Sequence, residues 1–335
     1  MELKELLLSL SEADGVGGGS TALQVAEDAL APLGEIRRDS MGGLLCTIGS
    51  GSRRILLDAH IDEIGFVVTA IDGAFLRVAA CGGVDVRTLA DQDVIVHGKQ
   101  ELFGVFSSLP PHLKKESEKA PKLEDMMIDC GLSHDRLAEL VTPGERVSFA
   151  VRPCDMLNGR LTGKSLDNRA GVAVVIDAAR RLADLDDVTL LVSLSSQEEI
   201  GCRGAKTASF AADPSEAIVV DVSFGDGPDV PARSCGKLGE GPMIGVSPIL
   251  DSAMTKSMIC TAQTQGIPYQ LEAMGGTTGT NADPITISKS GVPTALVSIP
   301  LRNMHTACEV VELQDLIRTS DLIVAYVGEG GANRA

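Results

Sequence analysis

The chain has 335 residues, of which 44% are hydrophobic, 22% charged and only 3% aromatic, with no tryptophan. That is a globular composition with room for one large domain or two smaller ones, around a core of Val, Ile, Leu and Ala. The formal net charge of −17 argues against nonspecific binding to nucleic acid or to an anionic membrane.

The N-terminal stretch MELKELLLSLSEADG is too charged for a secretory signal. Its leucines at 6, 7 and 10 predict a helix over 1–12. DGVGGGS (14–20) reads as a loop, with Ser20 or Thr21 capping a helix over ALQVAEDALAPL. The glycine spacing there fits neither dinucleotide nor P-loop motifs, and a helix precedes it where a strand is needed. Next come two strands joined by the glycine-serine turn at 49–52. The second, RRILLDAH, is a continuous apolar run, as in a strand buried on both faces. Between about 66 and 155 the texture changes to short β-like runs (GFVVTAI, AFLRVAA, DVIVHGK, LFGVFSS, ERVSFAV). They are broken by glycines, prolines and the charged stretch PPHLKKESEKAPKLEDM, which predicts a small β-rich domain with a mobile loop. From about 160, helix and strand alternate: DNRAGVAVVIDAARRLADL, VTLLVSLSS, RGAKTASFAA, EAIVVDVS, DSAMTKSMICTAQTQG, IPYQLEAM, TALVSIPL and ELQDLIRTSDLIVAYVGE. The expected fold class is therefore α/β, a mostly parallel sheet flanked by helices with an inserted β-rich domain. The expected boundaries are 1–65 and 156–335 for the main domain and 66–155 for the insert. No run approaches the roughly 18 or more apolar residues of a membrane span. The eight cysteines lack a CxxC pair and are expected to be reduced thiols of a cytoplasmic protein.

In such sheets, sites form outside the carboxyl ends of the strands. There the sequence places His60 and Asp62, Glu198 and Glu199, Asp221 and His305, with Asp167 opening a helix. So many carboxylates at one rim repel one another unless a cation neutralises them. With two histidines they suit zinc, cobalt or manganese, and the donors suffice for two metals about 3.5–4 Å apart. Taken singly, each residue also has a plainer reading. A histidine can be a hydrogen-bonded loop residue, Asp167 a helix cap, Asp221 a turn residue and the glutamate pair a solvated loop. His97, His112 and His134 fall in the insert and are read as surface residues. The residues alone thus point to a metallohydrolase on an α/β sheet.

LLDAHIDEIGF, GKSLDNRAG, SSQEEIGCRGA, VVDVSFGD, GGTTGTNADPI and GVPTALVSIPLRNMHTACEVV, in this order over nearly the whole chain, resemble the M42 family of metallo-aminopeptidases. FGVFSSLPPHLKKESEKAPKLEDMMIDCG resembles that family's inserted domain. The resemblance implies two divalent ions (Zn²⁺, Co²⁺ or Mn²⁺) per subunit. His60 and Asp221 would hold the first and Glu199 and His305 the second, with Asp167 bridging. It makes Glu198 the general base and Asp62 the residue orienting His60. It implies removal of N-terminal residues from short peptides, and a homo-oligomer, commonly a tetrahedral dodecamer, built through the insert. Carboxypeptidase or deacylase chemistry remains an alternative for such a site, as does a peptide-binding shell. A glycosidase needs metal-free carboxyls and fits less well. Arg233, Lys237 and Arg302 are candidates for a cation that would favour acidic substrates.

Overall fold

The computed structural model describes residues 1–18, 21–107, 122–228 and 230–331. Most of the loop expected to be mobile, residues 108–121, lies outside them, as do Ser20 and His112. Two helices, α1 (Leu3–Glu12) and α2 (Thr21–Leu30), lead into strands β1 (Glu35–Arg38), β2 (Leu44–Ile48) and β3 (Arg53–His60). The chain then leaves the main sheet for β4 (Gly65–Asp72), β5 (Phe75–Cys81), β6 (Asp93–His97), β7 (Glu101–Phe106), β8 (Ile128–Asp129), helix α3 (His134–Leu140) and β9 (Arg146–Phe149). It returns through β10 (Cys154–Asp155), β11 (Arg160–Gly163), α4 (Leu166–Leu182), β12 (Val188–Ser195), α5 (Arg203–Ala212) and β13 (Glu216–Phe224). The last elements are β14 (Met243–Val246), α6 (Ser252–Gln265), β15 (Gln270–Ala273), α7 (Ala282–Thr286), β16 (Thr294–Arg302), β17 (Glu309–Glu312) and α8 (Leu313–Gly328).

The main sheet has the order β1-β2-β12-β3-β13-β16-β17-β11-β10, with β14 and β15 branching from β16. Its centre, β12-β3-β13-β16, is parallel, and its margins are antiparallel. The middles of the central strands, such as residues 55–57 of β3 and 190–192 of β12, are apolar because both faces are covered. In β3, Ile55, Leu57 and Ala59 pack with α1, α4 and α8, while Leu56 faces the opposite layer with Ala205 of α5 and Ile285 of α7. The glycine-serine turn does not make a hairpin of β2 and β3. β12 lies between them, antiparallel to one and parallel to the other. An apolar strand with both edges open accepts whichever partner the global topology brings, and local sequence does not specify it.

β4 to β9 close into a small antiparallel barrel of order β4-β5-β8-β7-β6-β9. Three of the chain's few aromatics sit in its otherwise aliphatic core. Phe66 meets Phe106 edge-on at 4.9 Å between ring centroids and Phe149 at 5.6 Å, a geometry worth about 0.5–1.5 kcal/mol per pair beyond burial. The barrel springs from the carboxyl end of β3, and its β5–β6 loop comes back to that end. None of the described helices is long and apolar enough to cross a membrane.

Candidate active site

β3 delivers His60 at its last residue, β12 ends three residues before Glu198, and β13 and β16 carry Asp221 and the loop of His305. β13 continues past Asp221 to Phe224, because its parallel partner β16 stays in register as far as Leu301. Asp167 occupies the first turn of α4 with non-helical angles (φ −80°, ψ 105°), and its peptide bond to Asn168 is cis. It does not act as a helix cap. Its two carboxylate oxygens face two imidazoles, Oδ1 at 3.1 Å from His60 Nε2 and Oδ2 at 3.4 Å from His305 Nε2.

Around that shared carboxylate the remaining residues fall into two groups. His60 Nε2 is 3.7 Å from Asp221 Oδ1 and 3.9 Å from Glu198 Oε2. His305 Nε2 is 3.6 Å from Glu199 Oε2. His60, Asp167 and Asp221 form one set of converging donor atoms and Asp167, Glu199 and His305 another, while His60, Glu198 and Glu199 make a third that links the two. The adjacent glutamates are not solvated, since their side chains are 13% and 4% exposed. Asp62 explains how they are set. Its Oδ1 accepts the Glu198 N–H at 3.1 Å and its Oδ2 the Glu199 N–H at 3.2 Å, so one carboxylate clamps both amides. Asp62 also faces His60 Nδ1, through Oδ1 at 3.6 Å and its own carbonyl at 3.2 Å. Asp62 thus holds the Nδ1 edge of the ring, and Nε2 is the nitrogen turned toward Asp167, Asp221 and Glu198.

The electrostatics follow from this crowding. Burial, then Asp167 and Glu198, push the Glu199 carboxyl up to about 10. Burial also raises Asp221 well above the usual carboxylate range, and raises Glu198 as well. Asp167 is held below that range in spite of burial, because both imidazoles hydrogen-bond to it. Carboxylates that are costly to ionise together, facing imidazole nitrogens, have the chemistry of a cation site.

Sequence reasoning missed Glu309, the first residue of β17 and only 1% exposed. Its Oε2 accepts the Asp167 N–H and its Oε1 the His305 N–H, both at 3.0 Å. It holds in place the backbones of two site residues 138 positions apart in sequence (305 against 167). The one signal was an acid opening the apolar run EVV. His305 has φ +63°, a conformation that histidine adopts at a cost. A side chain on Gly83, from the barrel, would meet the His305 ring at 2.7 Å, so the barrel contributes a bare backbone to the site. Beneath the site, Glu63 accepts from Gly15 N–H at 2.6 Å, from Lys164 Nζ at 2.7 Å and from Ser165 Oγ, with Arg169 Nη2 at 3.9 Å.

Of the other histidines, His134 Nδ1 bonds the Gly73 carbonyl at 2.9 Å. His97 approaches Asp14 and Glu101 as a further donor group, but Ser148 Oγ already links it to Asp14, at 2.9 Å from His97 Nε2 and 2.8 Å from Asp14 Oδ1. Arg302 is tied to Asp226 at 2.8 Å, Lys237 is exposed, and Arg233 lines the cavity beside the site from an exposed turn.

A family model described as M42 glutamyl aminopeptidase matches residues 42–322. A lysyl aminopeptidase of Pyrococcus furiosus is 33% identical over 97% of this chain and 96% of its own. Among solved structures, a TET aminopeptidase from a marine sediment archaeon of the Thaumarchaeota superposes with a TM-score of 0.93 at 29% identity, covering 98% of this chain and 96% of that one. The TET1 peptidase of Pyrococcus horikoshii, described as assembling into a tetrahedron or a large octahedral shell, gives 0.83 at 30% identity, covering 97% and 98%.

Proposed function

Because the chain belongs to the M42 glutamyl aminopeptidase family and is a metal-dependent aminopeptidase, we propose that it works with two divalent ions and a glutamate base on the amino ends of short peptides. The observation that carries this reading is the Asp167 carboxylate, one oxygen toward His60 and the other toward His305. The donor set fits: imidazole nitrogens and carboxylate oxygens suit Zn²⁺, Co²⁺ or Mn²⁺, and a cation would offset the burial and the neighbouring charges that raise Asp221 and Glu199. His60 and Asp221 would hold one ion, His305 and Glu199 the other, and Asp167 both. Such ions polarise a scissile carbonyl and lower the pKa of an attacking water.

The chain's own residues do the rest. Glu198, with a raised carboxyl pKa and its Oε1 accepting from Cys202 Sγ at 3.2 Å, takes the water's proton and passes it to the leaving amine. Asp62 keeps Glu198 and Glu199 pointing to different groups. The adjoining cavity, about 770 Å³ and walled partly by Val222, Phe224, Met243 and Met304, receives the N-terminal residue and limits water around the reacting bond. Homo-oligomerisation is supported by the assemblies named for a solved relative, and Phe103, 57% exposed on β7, gives the barrel an apolar surface residue that such a contact would cover.

The test is cleavage of aminoacyl-p-nitroanilides and their N-acetylated counterparts after chelation and metal restoration, with metal bound per chain counted in parallel. Metal-dependent cleavage of free-amine substrates and two equivalents per chain are expected. Release of acetate from the blocked substrates, with no cleavage of the free-amine ones, would move the activity to deacylation, and one equivalent would end the two-ion reading.

A further inference from the structure

Apart from the residues already assigned to the site, two side chains that carry charge line the cavity among the described residues, Glu272 and Arg233. They have opposite signs and different settings. Glu272 lies on β15, opposite Gly245 of β14 in the register. Its Oε2 accepts from Ser298 Oγ at 2.7 Å, and its Oε1 from Ser223 Oγ. Those serines are 1% and 8% exposed and belong to central strands β16 and β13. The carboxylate is therefore half-buried and held by hydroxyls on two buried central strands of the sheet. Each carboxylate oxygen can accept a second hydrogen bond, so the cavity is left with acceptor capacity of fixed direction. Arg233, by contrast, sits exposed on the turn Ala232–Ser234, where solvent and salt screen its charge. The fixed, half-buried charge governs selectivity.

Around Glu272 the walls are apolar: Leu271, Met274, Met243 and Phe224 line the same cavity. An apolar channel with an anchored carboxylate complements an aliphatic stem that ends in a cation. Resting on the aminopeptidase reading above, we propose that Glu272 is the specificity-determining residue and selects peptides whose N-terminal residue is lysine or arginine. Among the described residues no buried lysine or arginine lines the cavity to favour acidic residues. Arg302, the half-buried candidate, is spent on Asp226.

The experiment measures kcat/KM of the metal-loaded protein on Lys-, Arg-, Leu- and Glu-p-nitroanilide, for wild type, Glu272→Gln and Glu272→Lys. The wild type is expected to prefer Lys and Arg, with the Lys-over-Leu ratio falling as salt rises. In Glu272→Gln that ratio should drop by about 10–100-fold, the range of one charge-assisted hydrogen bond. In Glu272→Lys the Glu substrate should overtake Lys. Should a variant fail to fold, the wild-type ratios and their salt dependence still decide. A wild type that prefers Leu or Glu overturns the proposal. So does an equal loss on Lys and Leu in Glu272→Gln, which would place the carboxylate at the substrate's α-amine. No turnover of any free-amine substrate by folded, metal-loaded wild type overturns the aminopeptidase reading, and the specificity with it.

Discussion

Replacing Glu309 by glutamine keeps its shape and removes one acceptor. The carboxylate now takes two backbone N–H groups, those of Asp167 and His305, each at 3.0 Å. Only a group with two acceptor oxygens can do this. Burial and then Asp167 push the Glu309 carboxyl well above the usual range, while the backbone N–H groups it accepts from favour its ionised form. In Glu309→Gln the amide nitrogen must face one of the two N–H groups, donor against donor. One charge-assisted hydrogen bond is worth about 1.5–3 kcal/mol. Loss of a group that orients metal ligands typically costs about 10–100-fold in metal affinity, or about 1.4–2.8 kcal/mol. The two routes agree, so a fall of about 10–100-fold is expected in competition titrations of chelated protein against a chromophoric zinc chelator. Turnover should recover in part at saturating metal. Glu309→Ala, which strands both N–H groups, should lose more. Affinity within twofold of wild type in Glu309→Gln would show that the loops carrying Asp167 and His305 hold themselves, and the positioning role would be withdrawn.

Glu198→Gln should keep its bound metal by elemental analysis while kcat falls by about 10²–10⁴-fold; loss of metal along with activity would make Glu198 a ligand instead. Lys164→Met strands the buried Glu63, and urea unfolding should show a loss of about 3–5 kcal/mol. Glu63→Gln combined with Lys164→Met should recover much of it, and a double variant as unstable as the single would count against the pair. Lys164 first, then Arg169, lower the Glu63 pKa against the pull of burial. Its stabilisation is therefore full above the unfolded value near 4.5 and lost as pH falls through the folded value. Glu63→Gln should flatten the acid limb of stability against pH, and an unchanged limb would assign acid sensitivity to other groups.

The parts of the fold legible in the sequence are those where a local pattern and the final environment coincide. β3, β12 and β16 carry apolar runs through their middles and are buried there on both faces. α6 starts where Asp251 caps it, accepting from Ala253 and Met254 N–H. The short strands β14 and β17, four residues each, and the five-residue α7 escaped notice because so few residues carry no period. Placing β12 between β2 and β3 escaped for another reason. Strand order depends on partners more than 100 residues away, and an apolar strand advertises burial without naming a neighbour.

The site divides in the same way. Strand ends picked out His60, the glutamate pair and His305, since strand ends can be read locally. What each carboxylate faces could not be read, as Asp58 and Asp62 show. They are four residues apart on one segment, both fully buried. Asp58 lies within β3 and accepts from Ser193 Oγ at 2.6 Å and Asn281 Nδ2 at 2.7 Å, and burial raises its pKa to about 6. Asp62 lies past the strand's end and accepts from two amides of the β12 loop. The strand's last residue, His60, separates the two settings, so the same residue type supports the sheet on one side and arranges the chemistry on the other. Side by side, Glu198 and Glu199 can take different parts because neither amide is free. With both N–H groups held by one carboxylate, the turn cannot rotate, and the two side chains diverge toward His60 and His305. The adjacency is visible in the sequence, but the clamp that makes it useful appears only when β3 and β12 are set side by side.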